Sequence, residues 1–284
     1  MFDRTEIPVT ATGVSAWEVA KDVSKSAGEI LMKWWPETKV ISEKGSNDIV
    51  TNVDIEAEKF ISEKLKAAFP DHGIYGEEAA GDDPEQGWVW VIDPVDGTRN
   101  YASGIPFFSL VLALVKDGEV VVGVNYDPLN DEMFHAASGM GAFLNEERMR
   151  VSDKGTLDGA MVGIDIAYSN DSGTEDTFQS VRKLWHRLGT VRLLGSSALG
   201  ISYVAAGRID IYFHHRLQPY DQAAGLLLVE EAGGVITDRN GIRAGLYSDG
   251  IIAASTRTHV DFMNSTKNHG WRRPSSREAN PFEI

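Results

Sequence analysis

The order of amphipathic helices and short apolar strands is the feature that most limits what this 284-residue chain can fold into. Apolar side chains recur at helical spacing over residues 14–35, and Pro36 ends the run. A second helix is predicted after Thr51, which resembles a capping pair with Asp54, and Pro70 closes it. The N-terminal part of the chain is therefore predicted to supply two long helices.

The middle of the chain has the pattern of an antiparallel sheet. Residues 88–92, Trp-Val-Trp-Val-Ile, predict a short buried strand. Residues 109–115 and 120–126 flank the turn residues Asp117 and Gly118, which is typical of a hairpin. Residues 133–137 are candidates for a third antiparallel strand.

Strands and helices alternate again after Gly159. Strands are predicted near residues 161–166, 209–213, 235–237 and 251–254, and helices near 177–188, 196–206, 219–232 and 258–267. The pattern alone predicts one mixed α/β domain over residues 1–284. A boundary near residue 158 divides it into subdomains of about 14–158 and 159–267. The tail, 268–284, is predicted to lie loosely on the surface.

Charge and cysteine content exclude several kinds of function. The chain has 27 Lys and Arg residues against 42 Asp and Glu residues, a net charge of −15 that repels nucleic acid backbones and anionic membranes. A phosphate-binding protein with this charge must recruit metal ions. The absence of cysteine excludes thiol nucleophiles and zinc–thiolate sites. With no signal-peptide pattern and no membrane-length apolar run, cytoplasm is the expected compartment.

Asp93 and Asp96 follow the Val- and Trp-rich strand directly, where ligands commonly bind in α/β folds. Pro94 fixes one backbone angle and Gly97 permits an unusual one, so both carboxylates can point to one place. A plain polar turn would have the same residues. Taken alone, this motif leaves both interpretations open.

Two further carboxylate positions favour a metal site. Glu77 and Glu78 follow a short apolar strand, and adjacent like charges cost energy unless a cation or solvent separates them. Asp221 opens an apolar helix. Each also has an ordinary alternative, since one glutamate could cap a loop and an aspartate is favoured in any first helical turn.

Oxygen ligands without cysteine or a histidine pair suit Mg²⁺ better than zinc or copper. If a short helix begins at Gly97 and Thr98, its free amides can receive a phosphate group polarised by the metal. Metal ligands beside such amides indicate phosphoryl chemistry.

Three motifs in this order resemble the inositol monophosphatase family of lithium-sensitive phosphatases, which is related to fructose-1,6-bisphosphatases. They are Gly76-Glu77-Glu78, the run Asp-Pro-Val-Asp-Gly-Thr-Arg-Asn-Tyr at 93–101, and Tyr-Asp-Gln-Ala-Ala-Gly at 220–225 with Glu-Ala-Gly-Gly at 231–234. The resemblance implies a layered αβαβα sandwich with two subdomains. It also implies a lithium-sensitive, Mg²⁺-dependent hydrolase that acts on the phosphomonoester of a small metabolite. We also expect a homodimer.

The resemblance implies two or three Mg²⁺ ions per site. The first would be held by Glu77, Asp93 and the carbonyl of Val95, and the second by Asp93, Asp96 and Asp221. A third, weaker ion would bind beside Glu77 through water. Two cations would stabilise both the attacking and the leaving oxygen of an in-line displacement.

The resemblance also assigns roles around the metals. Thr98 and Asp54 match a Thr–Asp pair that helps to activate water together with Glu77, although Asp54 could simply cap its helix. The implied substrate contacts are Gly97, Thr98, Gly195, Ser196, Ser197 and His214. A helix start after a strand would give the Gly195–Ser197 pattern equally well.

One position departs from the inositol-specific pattern. The family has a glutamate that binds sugar hydroxyls seven residues before the last metal aspartate, and this chain has His214 there. His214 and His215 could also be ordinary strand-end residues. Histidinol phosphatase, fructose-1,6-bisphosphatase and 3′(2′),5′-bisphosphate nucleotidase activities therefore remain alternatives. A non-catalytic regulatory protein with the same fold is the alternative from a different class.

Overall fold

The computed structural model describes residues 7–35, 37, 41–45, 48–79, 81–167 and 172–273. Helix α1, Ala16–Trp34, begins at Ser15, whose hydroxyl accepts a hydrogen bond from the Glu18 N–H at 3.1 Å. Helix α2, Asn52–Ala68, begins at Thr51 with a capping box in which the Asp54 carboxylate accepts the Thr51 N–H at 3.0 Å. The two predicted helices and the predicted capping pair are confirmed.

The first large sheet has seven strands that follow chain order. They are β3 Gly73–Gly76, β4 Trp88–Asp96, β5 Ser109–Lys116, β6 Glu119–Asp127, β7 Glu132–Ala137, β8 Gly141–Leu144 and β9 Glu147–Arg148. β3 pairs with β4 in parallel, and the other pairs are antiparallel. The predicted hairpin and third strand are confirmed, and the strand predicted at 88–92 runs on to Asp96. A separate hairpin, β1 Ile41–Gly45 and β2 Asp48–Thr51, was not predicted.

The second large sheet has the order β11-β10-β12-β14-β13. Its strands are β10 Met161–Ile164, β11 Thr190–Leu193, β12 Ile211–His214, β13 Val235–Thr237 and β14 Ile251–Ala254. β10 lies parallel to both β11 and β12, whereas β14 is antiparallel to its neighbours. The four predicted strands are present, and β11 was not predicted because its short run contains two exposed residues.

Helices cover and separate the two sheets. They are α3 Thr98–Ala102, α4 Gly173–Leu184, α5 Ser197–Ala205, α6 Pro219–Glu231 and α7 Thr256–Ser265. α1 and α2 pack on the outer face of the seven-stranded sheet, and α5 and α6 lie between the sheets. α4 and α7 cover the outer face of the five-stranded sheet. The layered αβαβα architecture is therefore confirmed.

The region after α7 corrects one expectation. Trp271, in the 3₁₀ helix Gly270–Arg272, is fully buried, with its ring 5.2 Å from that of Phe213 and 6.0 Å from that of Phe262. A loose surface tail is thus wrong for the segment around Trp271, because burying a large apolar indole holds this segment against the core. Asn268 and Arg273 are exposed. Residues 274–284 lie outside the described part, and the subdomain boundary near 158 stays a prediction.

Among the helices of the described residues, none has both the length and the apolar content needed to cross a lipid bilayer.

Candidate active site

Three carboxylates converge at the end of β4. Asp93, Asp96 and Asp221 each present an oxygen atom, and these atoms lie within 4.8 Å of one another. The pairing of β4 with β5 carries a bulge here, since Asp93 lies opposite Val111 and Asp96 opposite Ser109. The extra residue in β4 re-aims the local side chains. Asp221 reaches the same point from the first turn of α6.

Burial makes this cluster electrostatically costly. Burial, followed by repulsion from Glu77, Asp96 and Asp221, holds the pKa of Asp93 well above its usual range. Burial also raises the pKa of Asp96 to about 6, although hydrogen bonds from the Ser196 hydroxyl and the Ala198 N–H oppose the change. Bringing like charges together in a buried site is unfavourable unless a cation neutralises them. The all-oxygen donor set therefore fits a hard divalent cation.

Glu77 and Glu78 follow β3 and have different surroundings. The Glu77 N–H donates to the Ile92 carbonyl at 3.1 Å, which aligns Glu77 with the end of β4. The Glu78 N–H donates to Glu58 Oε2 at 2.9 Å. Glu58 is buried in α2, one helical turn after Asp54, and this spacing was the signal that could have identified it.

Asp54 satisfies both sequence interpretations. It caps α2, and its Oδ1 also lies 3.3 Å from the Thr98 hydroxyl. The same hydroxyl lies 2.9 Å from the Val95 carbonyl, and since it has one proton it can donate to only one of these two acceptors at a time. Thr98 lines the cavity and Asp54 lies behind it. The predicted Thr–Asp pair is therefore present as a contact.

Two glycines allow the turn after β4 to pack closely against the segment that precedes α5. Gly97, with φ +90°, would place a Cβ atom 2.9 Å from the Gly195 carbonyl oxygen. Gly195, with φ +74°, would place one 2.8 Å from Asn100 Nδ2. Asn100 Nδ2 in turn donates to the Leu194 carbonyl at 3.0 Å. Both the positive φ angles and the close approach require glycine here.

The Ser196–Ser197 segment is a helix start that also contacts the carboxylates. The Ser196 hydroxyl donates to Asp96 Oδ2 and accepts from the Leu199 N–H at the beginning of α5. The Ser197 N–H donates to Asp96 Oδ1 at 3.1 Å. Ser197 lines the cavity, whereas Ser196 lies outside its lining.

Asp165 is a lining residue that the sequence did not reveal, because the strand was predicted to continue to residue 166. It follows the end of β10, and its Oδ1 accepts the N–H groups of Leu194 and Gly195 at 2.9 and 2.6 Å. Its Oδ2 accepts the Tyr212 hydroxyl at 3.0 Å. Burial raises the pKa of Asp165 to about 7, although these hydrogen bonds oppose the change.

His214 is the last residue of β12 and also lines the cavity. Its Nδ1 accepts the Arg216 N–H at 3.0 Å. Burial, with smaller contributions from His215 and Arg239, lowers the pKa of His214 well below its usual range, so the imidazole is neutral. Both sequence interpretations of His214, strand end and site residue, are compatible with this position.

These residues surround one cavity of about 600 Å³. Such a volume suits a small metabolite. The predicted residues in its lining are Glu77, Asp93, Val95, Asp96, Gly97, Thr98, Gly195, Ser197, His214 and Asp221. Its other polar lining residues include Arg99, Asn100, Asp165, Arg216, Gln218 and Tyr220.

Comparison with known proteins assigns the family. The model of the inositol monophosphatase family matches residues 15–270. The chain belongs to the inositol monophosphatase family. This membership agrees with the motif resemblance and with the αβαβα layers.

Members of the inositol monophosphatase family that resemble this chain have different names. The fructose-1,6-bisphosphatase/inositol-1-monophosphatase of Thermotoga maritima is 38% identical over 240 residues, which cover 84% of this chain and 91% of that protein. The Nus factor SuhB of Escherichia coli K12 is 38% identical over 242 residues, with the same two coverages. The crystal structure of the extragenic suppressor protein suhB from Bartonella henselae superposes with a TM-score of 0.84 at 34% identity, covering 88% of this chain and 98% of that one.

Proposed function

We propose that this chain is a Mg²⁺-dependent phosphatase that hydrolyses the phosphomonoester of a small metabolite. The observation that carries the proposal is the convergence of Asp93, Asp96 and Asp221 in a cavity that Glu77 also lines. A net charge of −15 would repel a phosphate ester, and metal ions at this cluster would reverse the local field.

The ligand assignment follows the donors available. Glu77, Asp93 and the Val95 carbonyl would hold one ion, and Asp93, Asp96 and Asp221 a second. When bound, Mg²⁺ supplies Lewis-acid stabilisation of phosphoryl oxygens and lowers the pKa of water. A third, weaker ion would bind beside Glu77 through water, so that each site would hold two or three ions.

The remaining roles belong to the chain's own groups. The Thr98 hydroxyl, in contact with Asp54 and the Val95 carbonyl, would orient the attacking water and receive a proton from it or pass one on. The backbone of Gly97 and Thr98, which line the cavity beside Asp96, would face the phosphate group. Ser196 would act from behind, by fixing the carboxylate of Asp96.

A phosphate-release screen tests the proposal. Purified protein with Mg²⁺ would be assayed on inositol 1-phosphate, histidinol phosphate, fructose 1,6-bisphosphate, adenosine 3′,5′-bisphosphate and phenyl phosphate. We expect Mg²⁺-dependent release from at least one monoester, and the preferred ester distinguishes the inositol phosphatase, histidinol phosphatase, fructose bisphosphatase and nucleotidase alternatives. Release that persists at full rate in a chelator would contradict the metal assignment.

Lithium tests the second ion. Because Asp96 and Asp221 would build its site, we expect Li⁺ to slow phosphate release in the presence of Mg²⁺. Indifference to Li⁺ over a range of Mg²⁺ concentrations would argue against this site.

A second candidate function follows from the relatives named Nus factor SuhB. Such a name favours a regulatory protein that keeps the fold and acts by binding another macromolecule. A non-catalytic protein has no physical need for buried, mutually repelling carboxylates in one cavity. If no ester in the screen releases phosphate at any Mg²⁺ concentration, this candidate replaces the enzyme.

We further propose a cytoplasmic homodimer.

A further inference from the structure

Arg239 is a buried arginine outside the cavity lining that joins three separate parts of the chain. It follows β13 and is 3% exposed. Its guanidinium donates to the carbonyl of His215, to that of Asp249 at 3.1 Å, and to those of Trp271 and Arg273, both at 3.0 Å. An arginine is buried this completely only where its donors are paired. Because the N–H groups of a guanidinium point in fixed directions, Arg239 fixes the relative positions of its acceptors.

The surroundings of this guanidinium favour a cation and leave it little freedom to move. The Asp249 carboxylate lies 3.6 Å from Arg239 Nη2, and the centre of the Trp271 ring lies 5.3 Å from the guanidinium carbon. Both a carboxylate and an aromatic face attract a cation. Gly250, with φ +72°, would place a Cβ atom 2.7 Å from Arg239 Nε, so the loop before β14 closes on the guanidinium as only glycine allows.

The His215 carbonyl belongs to the crossing segment, residues 215–218, which connects β12 to α6. Three residues of this segment line the cavity, namely Arg216, Leu217 and Gln218. His215 lies outside the lining, and its carbonyl is bound from behind by Arg239, which is 24 positions further along the chain. By contrast, the hydrogen bond from the Arg216 N–H to His214 Nδ1 is local. The bond from Arg239 therefore connects the crossing segment to a distant part of the chain.

The acceptors at the other side of Arg239 lie in the C-terminal segment, residues 270–273. The family model matches residues 15–270, so Trp271 and Arg273 lie beyond the matched residues. The Trp271 ring also packs edge-on against that of Phe213 in β12, with ring centres 5.2 Å apart. The C-terminal segment is therefore tied to the β12 region twice, through this ring contact and through Arg239.

We propose that Arg239 is a positioning residue through which the C-terminal segment holds the crossing segment in place at the cavity. The inference rests on the proposed phosphatase function and gives a role to residues outside the cavity. Side chains of the crossing segment would contact the alcohol part of the substrate, so their positions decide how tightly an ester binds. The phosphate group would bind at the metal ions instead. Loss of Arg239 should therefore weaken binding of an ester much more than binding of inorganic phosphate.

The experiment compares Arg239→Met, Arg239→Lys and Arg243→Met with the wild type. Methionine keeps an apolar side chain of similar reach and removes every donor. Lysine keeps the charge, but one ammonium group cannot span acceptors that are arranged for a planar fork. Arg243 is the matched control because it also joins two segments, by donating to Glu119 and Glu230, while its side chain is 49% exposed and lies outside the cavity lining.

The measured quantities are kcat and KM for the ester that the wild type hydrolyses fastest in the screen, and the inhibition constant of inorganic phosphate, all at saturating Mg²⁺. We expect KM to rise by about 5- to 20-fold in Arg239→Met and by about 3- to 10-fold in Arg239→Lys, because displaced contact residues bind the ester less well. The kcat value and the inhibition constant should stay within about twofold of wild type, as for a loss of binding that the ground state and transition state share. Arg243→Met should resemble the wild type in all three quantities.

Three results would overturn the proposal. A fall in kcat at unchanged KM is the result expected if the substitution at Arg239 merely lowers the folded fraction. An equal rise in KM and in the inhibition constant of phosphate would mean that Arg239 acts through the metal site. Full recovery of KM in Arg239→Lys would mean that the charge alone suffices and that no fork of hydrogen bonds is needed.

Hydrogen–deuterium exchange gives a readout that needs no substrate. Peptides that contain residues 215–218 should exchange about tenfold faster in Arg239→Met than in the wild type, whereas peptides that contain residues 93–101 should keep the wild-type rate. Equally faster exchange in both regions would assign Arg239 to global stability and contradict the proposal. If Arg239→Met does not fold, Arg239→Lys provides the same comparison. If no ester releases phosphate, the phosphatase function fails, and the exchange rates still decide whether Arg239 holds the crossing segment.

Discussion

The carboxylate cluster of Asp93, Asp96 and Asp221 and the strand-end pair of Asp165 and His214 line the same cavity but are built differently. In the cluster, like charges face one another, and burial together with their repulsion raises the pKa of Asp93. In the pair, backbone N–H groups and one hydroxyl hold a single carboxylate beside a neutral imidazole. The first arrangement concentrates three carboxylates that a cation would neutralise, whereas the second has one carboxyl group, whose pKa burial raises to about 7, and one neutral imidazole.

The difference indicates that the two groups of residues have different roles. A site that is unfavourable until a cation binds suits the step in which charge develops on phosphoryl oxygens. A neutral donor beside a fixed acceptor suits recognition of an uncharged polar group. Changes in the cluster should therefore lower turnover of every ester, and changes in the pair should alter the choice among esters.

The largest effect is expected for Asp93→Asn. Asp93 would contribute to both metal positions, so losing its charge should lower kcat/KM by about 1000-fold or more on all esters, given the several kcal/mol that metal stabilisation supplies. The metal-free variant should be at least as stable as the wild type, since repulsion in the cluster falls. Phosphate release and urea unfolding measure the two effects. The control is Asp22→Asn, a substitution at an exposed residue of α1. If Asp93→Asn has turnover close to that of this control, Asp93 is not a ligand of both metal positions.

A smaller loss is expected at Thr98. Thr98→Val keeps the shape and removes the hydroxyl that contacts Asp54 and the Val95 carbonyl, so kcat should fall by about 100-fold, similarly for inositol 1-phosphate and phenyl phosphate. Thr98→Ser, the matched control, retains the hydroxyl and should recover most of the rate. If the Val and Ser variants have the same rate, the hydroxyl does not take part in proton movement.

The raised pKa of Asp165 should make the free energy of unfolding of the metal-free protein depend on pH. The folded state keeps a proton on Asp165 up to a pKa of about 7, whereas the ordinary value in the unfolded chain is 3.8. The stability that this proton provides is complete below the unfolded pKa and is lost as pH rises through about 7. Between pH 5 and pH 7.5 the wild type should lose about 2 kcal/mol more than Asp165→Asn. Urea unfolding in a chelator measures both proteins, and parallel curves would contradict this environment for Asp165.

The smallest effect is expected at His214. His214→Phe removes a neutral N–H donor, which is worth about 0.5–1.5 kcal/mol, so kcat/KM for inositol 1-phosphate relative to phenyl phosphate should fall by about 2- to 12-fold. His214→Gln retains an N–H group and should lie closer to the wild type. A drop in kcat on both esters, without a change in the ratio of their kcat/KM values, would mean that His214 takes part in the hydrolysis step. His214 would then have the same role as the carboxylate cluster.

Much of the fold and of the carboxylate cluster could be predicted because the relevant interactions are local in sequence. Helical spacing and the Thr51–Asp54 capping box located α1 and α2, since both depend on neighbours within about one turn. Asp93, Asp96, Gly97 and Thr98 lie within six consecutive residues at the end of one strand. Their proximity therefore needs no knowledge of the rest of the fold.

The sequence by itself determined these helices, most of the strands and the ligand motif. Only the tertiary structure decided that Asp165 and His214, which follow paired positions of β10 and β12, line one cavity and that Glu58 holds the backbone of Glu78. It also decided that Trp271 returns to the core. Residues 165 and 214 reach the same end of the sheet because β10 pairs on one side with β11, the next strand in the chain, and on its other side with β12. Strand order within a sheet is set by the packing of whole helices and strands, and short-range sequence patterns do not contain that information.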